Sequence, residues 1–135
     1  MTESEIVLDA SVLVRGLLRE SDEAGELLEQ ISRGVVRAHA PDLIGPESTH
    51  ALLRLVRAGR VTQEVAGTLV EIANALPVSR HASSVLARHA LSFALEVGLS
   101  AYDAFYAVLA DGLGVTLVTA DARLAAAVDS SVLVA

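Results

Sequence analysis

The sequence predicts an α/β protein whose parallel β-sheet is covered by helices on both faces. Short apolar runs typical of buried strands alternate along the chain with longer segments of helical periodicity. Hydrophobic residues make up 53% of the 135 residues, which supplies ample apolar area for a core, while aromatic residues account for only 3%. A chain of this length commonly forms one domain. We therefore expect a single domain over residues 1–135, with a core of Ala, Val, Leu and Ile.

The order of the elements follows from apolar periodicity and from glycine or proline at the boundaries. Strands are predicted over residues 5–8, 35–40, 115–119 and 131–134, with a breaker or a very short strand at 77–79. Helices are predicted over residues 10–18, 22–32, 42–58, 62–75, 82–97, 101–113 and 121–128. Thr62 suits the N-cap of its helix, and Gly112 and Gly114 are expected to close the helix before the strand at 115–119.

Composition excludes several classes of protein. The absence of Cys rules out disulfides, Cys-ligated zinc and a thiol nucleophile, and it fits a cytoplasmic location. The acidic first residues are not a secretory signal, and charge interrupts every apolar run before the length of a membrane span. The net charge of −7 argues against a general nucleic-acid coat. All ten basic residues are Arg, which suits bidentate contact with phosphate.

Four carboxylates are the candidate functional residues. Asp9 and Asp121 each follow a predicted strand, so both are expected at the edge of the sheet where functional groups collect. Asp103 lies one turn into a helix among apolar residues, and Glu47 follows Pro46 at a helix start. Each has a simpler explanation: Asp9 and Asp121 could cap helices, while Glu47 and Asp103 could complement a helix dipole.

Convergence of these acids would favour a cation between them. Two carboxylates about 4 Å apart repel by roughly 4 kcal/mol at an effective dielectric constant near 20. Either one of them binds a proton or a cation occupies the space. Oxygen ligands without Cys favour Mg²⁺ or Mn²⁺, and the chemistry of such ions is activation of water and stabilisation of charge on a phosphodiester.

Four segments of the chain together resemble the PIN domain, and more narrowly the VapC toxins of bacterial toxin–antitoxin pairs. The segments are Val7-Leu8-Asp9-Ala10-Ser11, Pro46-Glu47, Tyr102-Asp103-Ala104 and Thr119-Ala120-Asp121-Ala122-Arg123-Leu124. The resemblance covers nearly the whole chain, with the motifs in order and suitably spaced. It implies a three-layer α/β/α fold and a metal-dependent ribonuclease. One segment departs from the family pattern, because Ser48 and Thr49 stand where relatives usually have aliphatic residues.

The resemblance also implies roles and partners. Asp9, Glu47, Asp103 and Asp121 would form the catalytic, metal-binding quartet around Mg²⁺ or Mn²⁺. Hydroxyls at two matching positions, Ser11 and Thr119, would support the site by hydrogen bonds, or would serve only as cap and turn residues. Relatives form homodimers and are silenced by an antitoxin whose tail enters the acidic site. The implied partners are therefore an RNA substrate, a cognate antitoxin and a second copy of the chain, without a membrane.

Other readings of the same acids are weaker. A receiver domain and a Walker P-loop would require Lys, and a haloacid-dehalogenase-type phosphatase would require Asp at the position of Ser11. No nucleophile-elbow or dinucleotide-binding motif is present, and the four histidines are typical of surface or packing positions. A non-catalytic PIN-fold module that binds RNA or protein remains an alternative. Several arginines could form a local track for phosphate, or could simply be solvated, namely Arg15, Arg19, Arg54, Arg57 and Arg60.

Overall fold

A computed structural model describes residues 4–135 and shows five strands and seven helices in that part of the chain. The strands are β1 (Ser4–Leu8), β2 (Val36–Pro41), β3 (Val78–His81), β4 (Thr116–Thr119) and β5 (Ser131–Leu133). The helices are α1 (Ala10–Leu17), α2 (Asp22–Ser32), α3 (Ile44–Arg57), α4 (Gln63–Ala75), α5 (Ser83–Val97), α6 (Ala101–Leu113) and α7 (Ala122–Ala127).

The five strands form one parallel sheet with the order β3-β2-β1-β4-β5. The central strand β1 pairs with β2 on one side and β4 on the other, with Leu8 opposite Val118. Strand order therefore reverses at β1. Ligands of open α/β sheets bind outside the carboxyl ends of the strands at such a reversal.

Helices cover both faces of the sheet, as the sequence predicted. Helices α1 to α4 pack against one another in one layer, whereas α6 packs across β1, β2 and β4 and also against α5. The core is aliphatic: Val7, Leu8, Leu13 and Leu117 are almost fully buried. The three-layer α/β/α fold is thereby confirmed, with the core around β1 and β4.

Close packing of the first two helices depends on one glycine. A Cβ atom on Gly16 would lie 2.5 Å from Cδ1 of Leu28 and 3.0 Å from the carbonyl oxygen of Ala24. Helix α2 therefore reaches α1 only because residue 16 has no side chain. This contact packs α2 closely against α1, the helix that begins directly after Asp9.

Element boundaries agree closely with the sequence predictions. Thr62 caps α4 by accepting a hydrogen bond from the Val65 amide, and the segment at 77–79 begins a short strand. Gly112 does not end α6, which continues to Leu113 and terminates at Gly114 in the left-handed conformation. The glycine that a helix end needs is the one at positive φ, and position 112 remains helical.

A chain of three polar side chains crosses β1, β2 and β3. The ring of His39 contacts Oε1 of Glu5 through Nε2 at 2.9 Å and Nε2 of His81 through Nδ1 at 3.0 Å. Hydrogen bonding to His39 lowers the pKa of the Glu5 carboxyl below its usual range. We call Glu5, His39 and His81 the histidine chain. Each of its contacts joins a possible donor to an acceptor.

Within residues 4–135, no single helix is both long enough and apolar enough to cross a bilayer. Helices α5 and α6 meet that criterion of length and composition only when taken together, and their axes are bent by 109°.

Candidate active site

Two of the four predicted acids follow neighbouring strands. Asp9 comes directly after β1, and Asp121 lies two residues beyond the end of β4. The amide of Asp9 donates to the carbonyl oxygen of Val118 at 3.0 Å, which extends the β1–β4 ladder to the start of the loop. Both acids therefore lie at the carboxyl edge of the sheet, beside the central strand.

Two hydroxyl groups hold the carboxylate of Asp9. Ser11 Oγ and Thr119 Oγ1 both donate to Asp9 Oδ2, the latter at 2.8 Å. The same hydroxyls also accept backbone hydrogen bonds, Ser11 from the Ala120 amide and Thr119 from the Asp121 amide. Asp9 is only 6% exposed, and it occupies the N-cap position of α1 without making a side-chain capping bond. Its carboxylate is thus held by the site and not used to cap the helix.

Asp121 and Asp103 are positioned by helix caps. Oδ1 of Asp121 accepts from the amides of Arg123 and Leu124, so this residue caps α7, as the simpler explanation of it proposed. Ser100 caps α6 by accepting from the Asp103 amide at 3.1 Å, which places Asp103 in the first turn of that helix. Both side chains are half-buried at the same edge of the sheet.

Glu47 is held by a residue that sequence reasoning did not single out. The hydroxyl of Tyr106 in α6 donates to Glu47 Oε1 at 2.7 Å, across 59 positions of sequence. Tyr106 is fully buried, and burial together with the charge of Glu47 raises the pKa of its hydroxyl. The phenol therefore stays protonated and available as a donor.

The four carboxylates act on one another electrostatically. We call Asp9, Glu47, Asp103 and Asp121 the acid cluster. Burial raises the pKa of Asp9, and the charge of Asp103 raises it further. Burial also raises the pKa of Glu47, which feels the charges of both Asp9 and Asp103. The pKa of Asp103 is raised by burial and then by Asp121.

Hydrogen-bond donors and one arginine offset only part of this negative charge. Hydrogen bonds from Ser11 and Thr119 to Asp9, from Tyr106 to Glu47, and within the Ser100 cap lower the pKa values of the acids they contact. The Arg123 guanidinium, which donates to the Gly98 carbonyl at 2.8 Å, also lowers that of Asp103. Burial is the largest effect on Asp9, Glu47 and Asp103, and together with the neighbouring carboxylates it outweighs the compensating groups, so the three pKa values stay raised.

The donor set fits a hard divalent cation. All four side chains offer oxygen ligands, and a cation would offset the repulsion that contributes to the raised pKa values of Asp9, Glu47 and Asp103. Among residues 4–135, no three His, Asp or Glu side chains are close enough together to form a complete metal cage as they stand. Mg²⁺ does not require one, because it is usually held by one or two carboxylates together with waters and substrate phosphates.

Fold and site together define the class of this protein: an α/β/α domain with a cluster of acids at the point where strand order reverses. The chain belongs to the PIN domain family, which matches residues 6–130.

Sequence relatives and solved structures agree with this assignment. Ribonuclease VapC3 of Mycobacterium tuberculosis (strain ATCC 25618 / H37Rv) is 36% identical over 123 residues, which cover 91% of this chain and 87% of that protein. The crystal structure of PAE2754 from Pyrobaculum aerophilum superposes with a TM-score of 0.76 at 25% identity, covering 97% of this chain and 91% of that one. VapBC2 from Rickettsia felis, solved with a promoter DNA fragment, has a TM-score of 0.67 at 12% identity, with 97% and 99% coverage, and shows the shared fold.

Proposed function

We propose that this chain is a metal-dependent endoribonuclease, the toxin component of a type II toxin–antitoxin pair, and that it hydrolyses RNA phosphodiester bonds with Mg²⁺ or Mn²⁺. Its similarity to VapC ribonucleases over about nine-tenths of the chain supports the activity. Ribonucleases of this family are generally metal-dependent. The observation that carries the proposal is the acid cluster, in which side chains from separate elements converge without enough positive charge to balance them.

The residues of the acid cluster would bind the metal ion, and neighbouring hydroxyl groups would orient them. Asp9 and Asp103, whose charges repel each other, would hold the ion. Asp121 and Glu47 would supply the remaining oxygen ligands. When bound, such an ion activates a water molecule and neutralises charge that develops on the phosphate. Ser11 and Thr119 would keep the Asp9 carboxylate in one orientation. Tyr106 would do the same for Glu47.

The proposal includes partners and a location. Resemblance to VapC toxins supports a cognate antitoxin and a homodimer. Apolar side chains that one copy leaves exposed are consistent with an interface, among them Leu95 and Val85 on α5 and Val65 and Ile72 on α4. The absence of Cys supports the cytoplasm as the place of action.

The alternative is a PIN-fold module that binds RNA or a protein without cleaving it. Retention of an acid at all four positions favours the enzyme, because a binding module for RNA gains nothing from carboxylates that repel phosphate.

An RNA-cleavage assay of the wild type and Asp9→Asn, purified identically, tests the proposal. Asn preserves the shape and one acceptor oxygen but removes the charge that would hold the ion. Loss of groups that merely orient metal ligands costs about 10- to 100-fold, so removal of a ligand should lower the rate by at least about 100-fold. Asp9 and Asp103 are expected to matter most, Asp121 next and Glu47 last. EDTA should silence the wild type, and added Mn²⁺ should restore it.

Asp111→Asn is the matched control. Asp111 lies on α6 like Asp103, but it is exposed near the far end of the helix, so the same chemical change there should leave cleavage intact. Equal cleavage by the wild type and Asp9→Asn, or cleavage indifferent to EDTA, would indicate a contaminating nuclease or another mechanism. RNA binding by both proteins without cleavage would favour the binding module.

A further inference from the structure

A basic groove opens beside the acid cluster, between α1 and α3. It encloses about 420 Å³, and three arginines lie along it: Arg15 from α1, Arg54 from α3 and Arg60 just after α3. Ser11 lines the same groove. Since the hydroxyl of Ser11 donates to Asp9, this residue joins the groove to the acid cluster. The two features are therefore continuous.

The positive charge of the groove is not neutralised internally. Within residues 4–135, no carboxylate lies within ion-pair distance of Arg15, Arg54 or Arg60. Glu20 is the one acid among the residues lining the groove, and it pairs with none of the three. The chain has a net charge of −7, but the three unpaired guanidinium groups make this groove locally positive. A locally positive groove of this kind suits a polyanionic ligand.

Helix geometry aligns the arginines with the acids. Arg15 follows Ser11 by four residues on α1, which places it on the same helix face about 6 Å further along the axis. Arg54 follows Glu47 by seven residues on α3, about 10 Å further along. Both helices begin at the acidic edge and lead away from it, so distance along the groove corresponds to distance from the acid cluster.

We propose that the basic groove binds phosphates of a single RNA strand adjacent to the scissile one, with Arg15, Arg54 and Arg60 as positioning residues. This inference rests on the proposed ribonuclease function and adds a direction to it: the strand leaves the acid cluster between α1 and α3. Guanidinium groups suit the task because each presents a planar pair of donors to phosphate oxygens. Of the arginines that sequence reasoning grouped together, Arg19 and Arg57 do not line the groove.

RNA binding by a cleavage-deficient protein tests the groove separately from catalysis. A fluorescein-labelled single-stranded RNA of about 20 nucleotides is titrated with Asp9→Asn protein in EDTA, and anisotropy gives Kd between 50 and 200 mM salt, a range in which backbone contacts are strongly salt-dependent. Adding Arg15→Gln, Arg54→Gln or Arg60→Gln should each weaken binding about fivefold. Each should also reduce the slope of log K against log salt by about 0.7.

Arg88→Gln is the matched control, because Arg88 is exposed on α5 in the opposite helical layer. It should leave Kd and salt slope unchanged. Equal weakening by all four substitutions would overturn the proposal in favour of general charge attraction, and no weakening by any groove variant would overturn it outright. The same variants are also titrated with a poly-glutamate peptide. Weaker binding of this peptide with unchanged binding of RNA would assign the groove to an acidic protein segment, which also contradicts the proposal.

Cleavage by otherwise wild-type protein in Mn²⁺ separates the two levels of inference. Groove variants should raise KM more than they lower kcat, because they remove binding shared by substrate and transition state. Cleavage that is metal-dependent yet unaffected by the groove variants would contradict the groove alone. Absence of cleavage by the wild type, with groove-dependent RNA binding retained, would contradict the ribonuclease function and leave the groove as an RNA-binding surface.

Discussion

The acid cluster and the histidine chain are two polar networks in one small molecule. They shift the pKa values of their carboxyl groups in opposite directions. In the histidine chain, hydrogen bonding to His39 lowers the pKa of Glu5. In the acid cluster, burial and neighbouring acids raise the pKa values of Asp9, Glu47 and Asp103. The first network pairs its carboxyl group with a histidine ring, whereas the second brings like charges together, and a bound cation would stabilise it.

This difference is the one we expect between a structural network and the proposed catalytic site. The histidine chain ties β1, β2 and β3 together through contacts near 3 Å. The acid cluster is held in place by hydroxyl and backbone donors, which orient the carboxylates without neutralising them. Perturbed titration in a cleft is typical of functional sites because the same arrangement that shifts a pKa also prepares a group for chemistry.

The largest effect on stability is expected at Thr119. Thr119→Val keeps the shape of this fully buried side chain but removes the donor to Asp9 and the acceptor for the Asp121 amide. Leaving buried groups unpaired should lower the free energy of unfolding by about 2 kcal/mol. It should also reduce cleavage by about 10- to 100-fold, because Asp9 loses its orientation. Urea unfolding and the RNA assay measure the two effects.

Thr119→Ser is the control, since it keeps the hydroxyl and loses only a methyl group, at a cost of roughly 1 kcal/mol. If the Val variant were as stable and as active as the Ser variant, the hydroxyl would have no role in holding the acid cluster.

A smaller effect on stability is expected at Glu5. Its pH dependence is opposite to that of the acid cluster, whose carboxyl groups have raised pKa values. The lowered pKa of Glu5 means that the ionised carboxylate stabilises the folded state at pH values above its ordinary 4.5, and that this contribution is lost as pH falls through the lowered folded value. Glu5→Gln should therefore depress the melting temperature slightly at pH 5 and hardly at all at pH 3. Glu71→Gln, at an exposed position of α4, is the control. A deficit that grows toward pH 3 would contradict the assignment.

The fold was predictable because each level of the sequence agreed on it. Short apolar runs such as Val7-Leu8 and Leu117-Val118 are typical of buried strands, and helix ends such as Gly98 carry the residue that a left-handed cap requires. The four acids could be singled out because strand ends and helix starts fix where Asp9, Asp121, Asp103 and Glu47 lie along the chain.

The partners of these acids could not be read in the same way. Nothing local marks Tyr106 as a donor to Glu47, since the two residues are 59 positions apart and a tyrosine in an apolar helix is also an ordinary core residue. The pairing of His39 with Glu5 and His81 likewise depends on strand register. Which arginines line a groove depends on the angle between α1 and α3, and that angle leaves no periodic signal in the sequence.

Thermal unfolding of metal-free wild type and Asp9→Asn from pH 4 to pH 8, with and without Mn²⁺, tests most directly the proposal that the acid cluster holds a cation. Because the folded pKa values are raised, protonated carboxyls favour the folded state near pH 4, and this stability is lost as pH rises through the raised values. Asp9→Asn should therefore melt at a higher temperature than wild type at pH 7 without metal.

Added Mn²⁺ should then raise the melting temperature of the wild type, by an amount that grows with concentration, and should raise that of Asp9→Asn much less. The contrary result is a metal-free Asp9→Asn protein that is less stable than wild type at pH 7, together with equal responses of both proteins to Mn²⁺. That outcome would mean that the carboxylates are balanced within the fold and are not arranged to hold an ion.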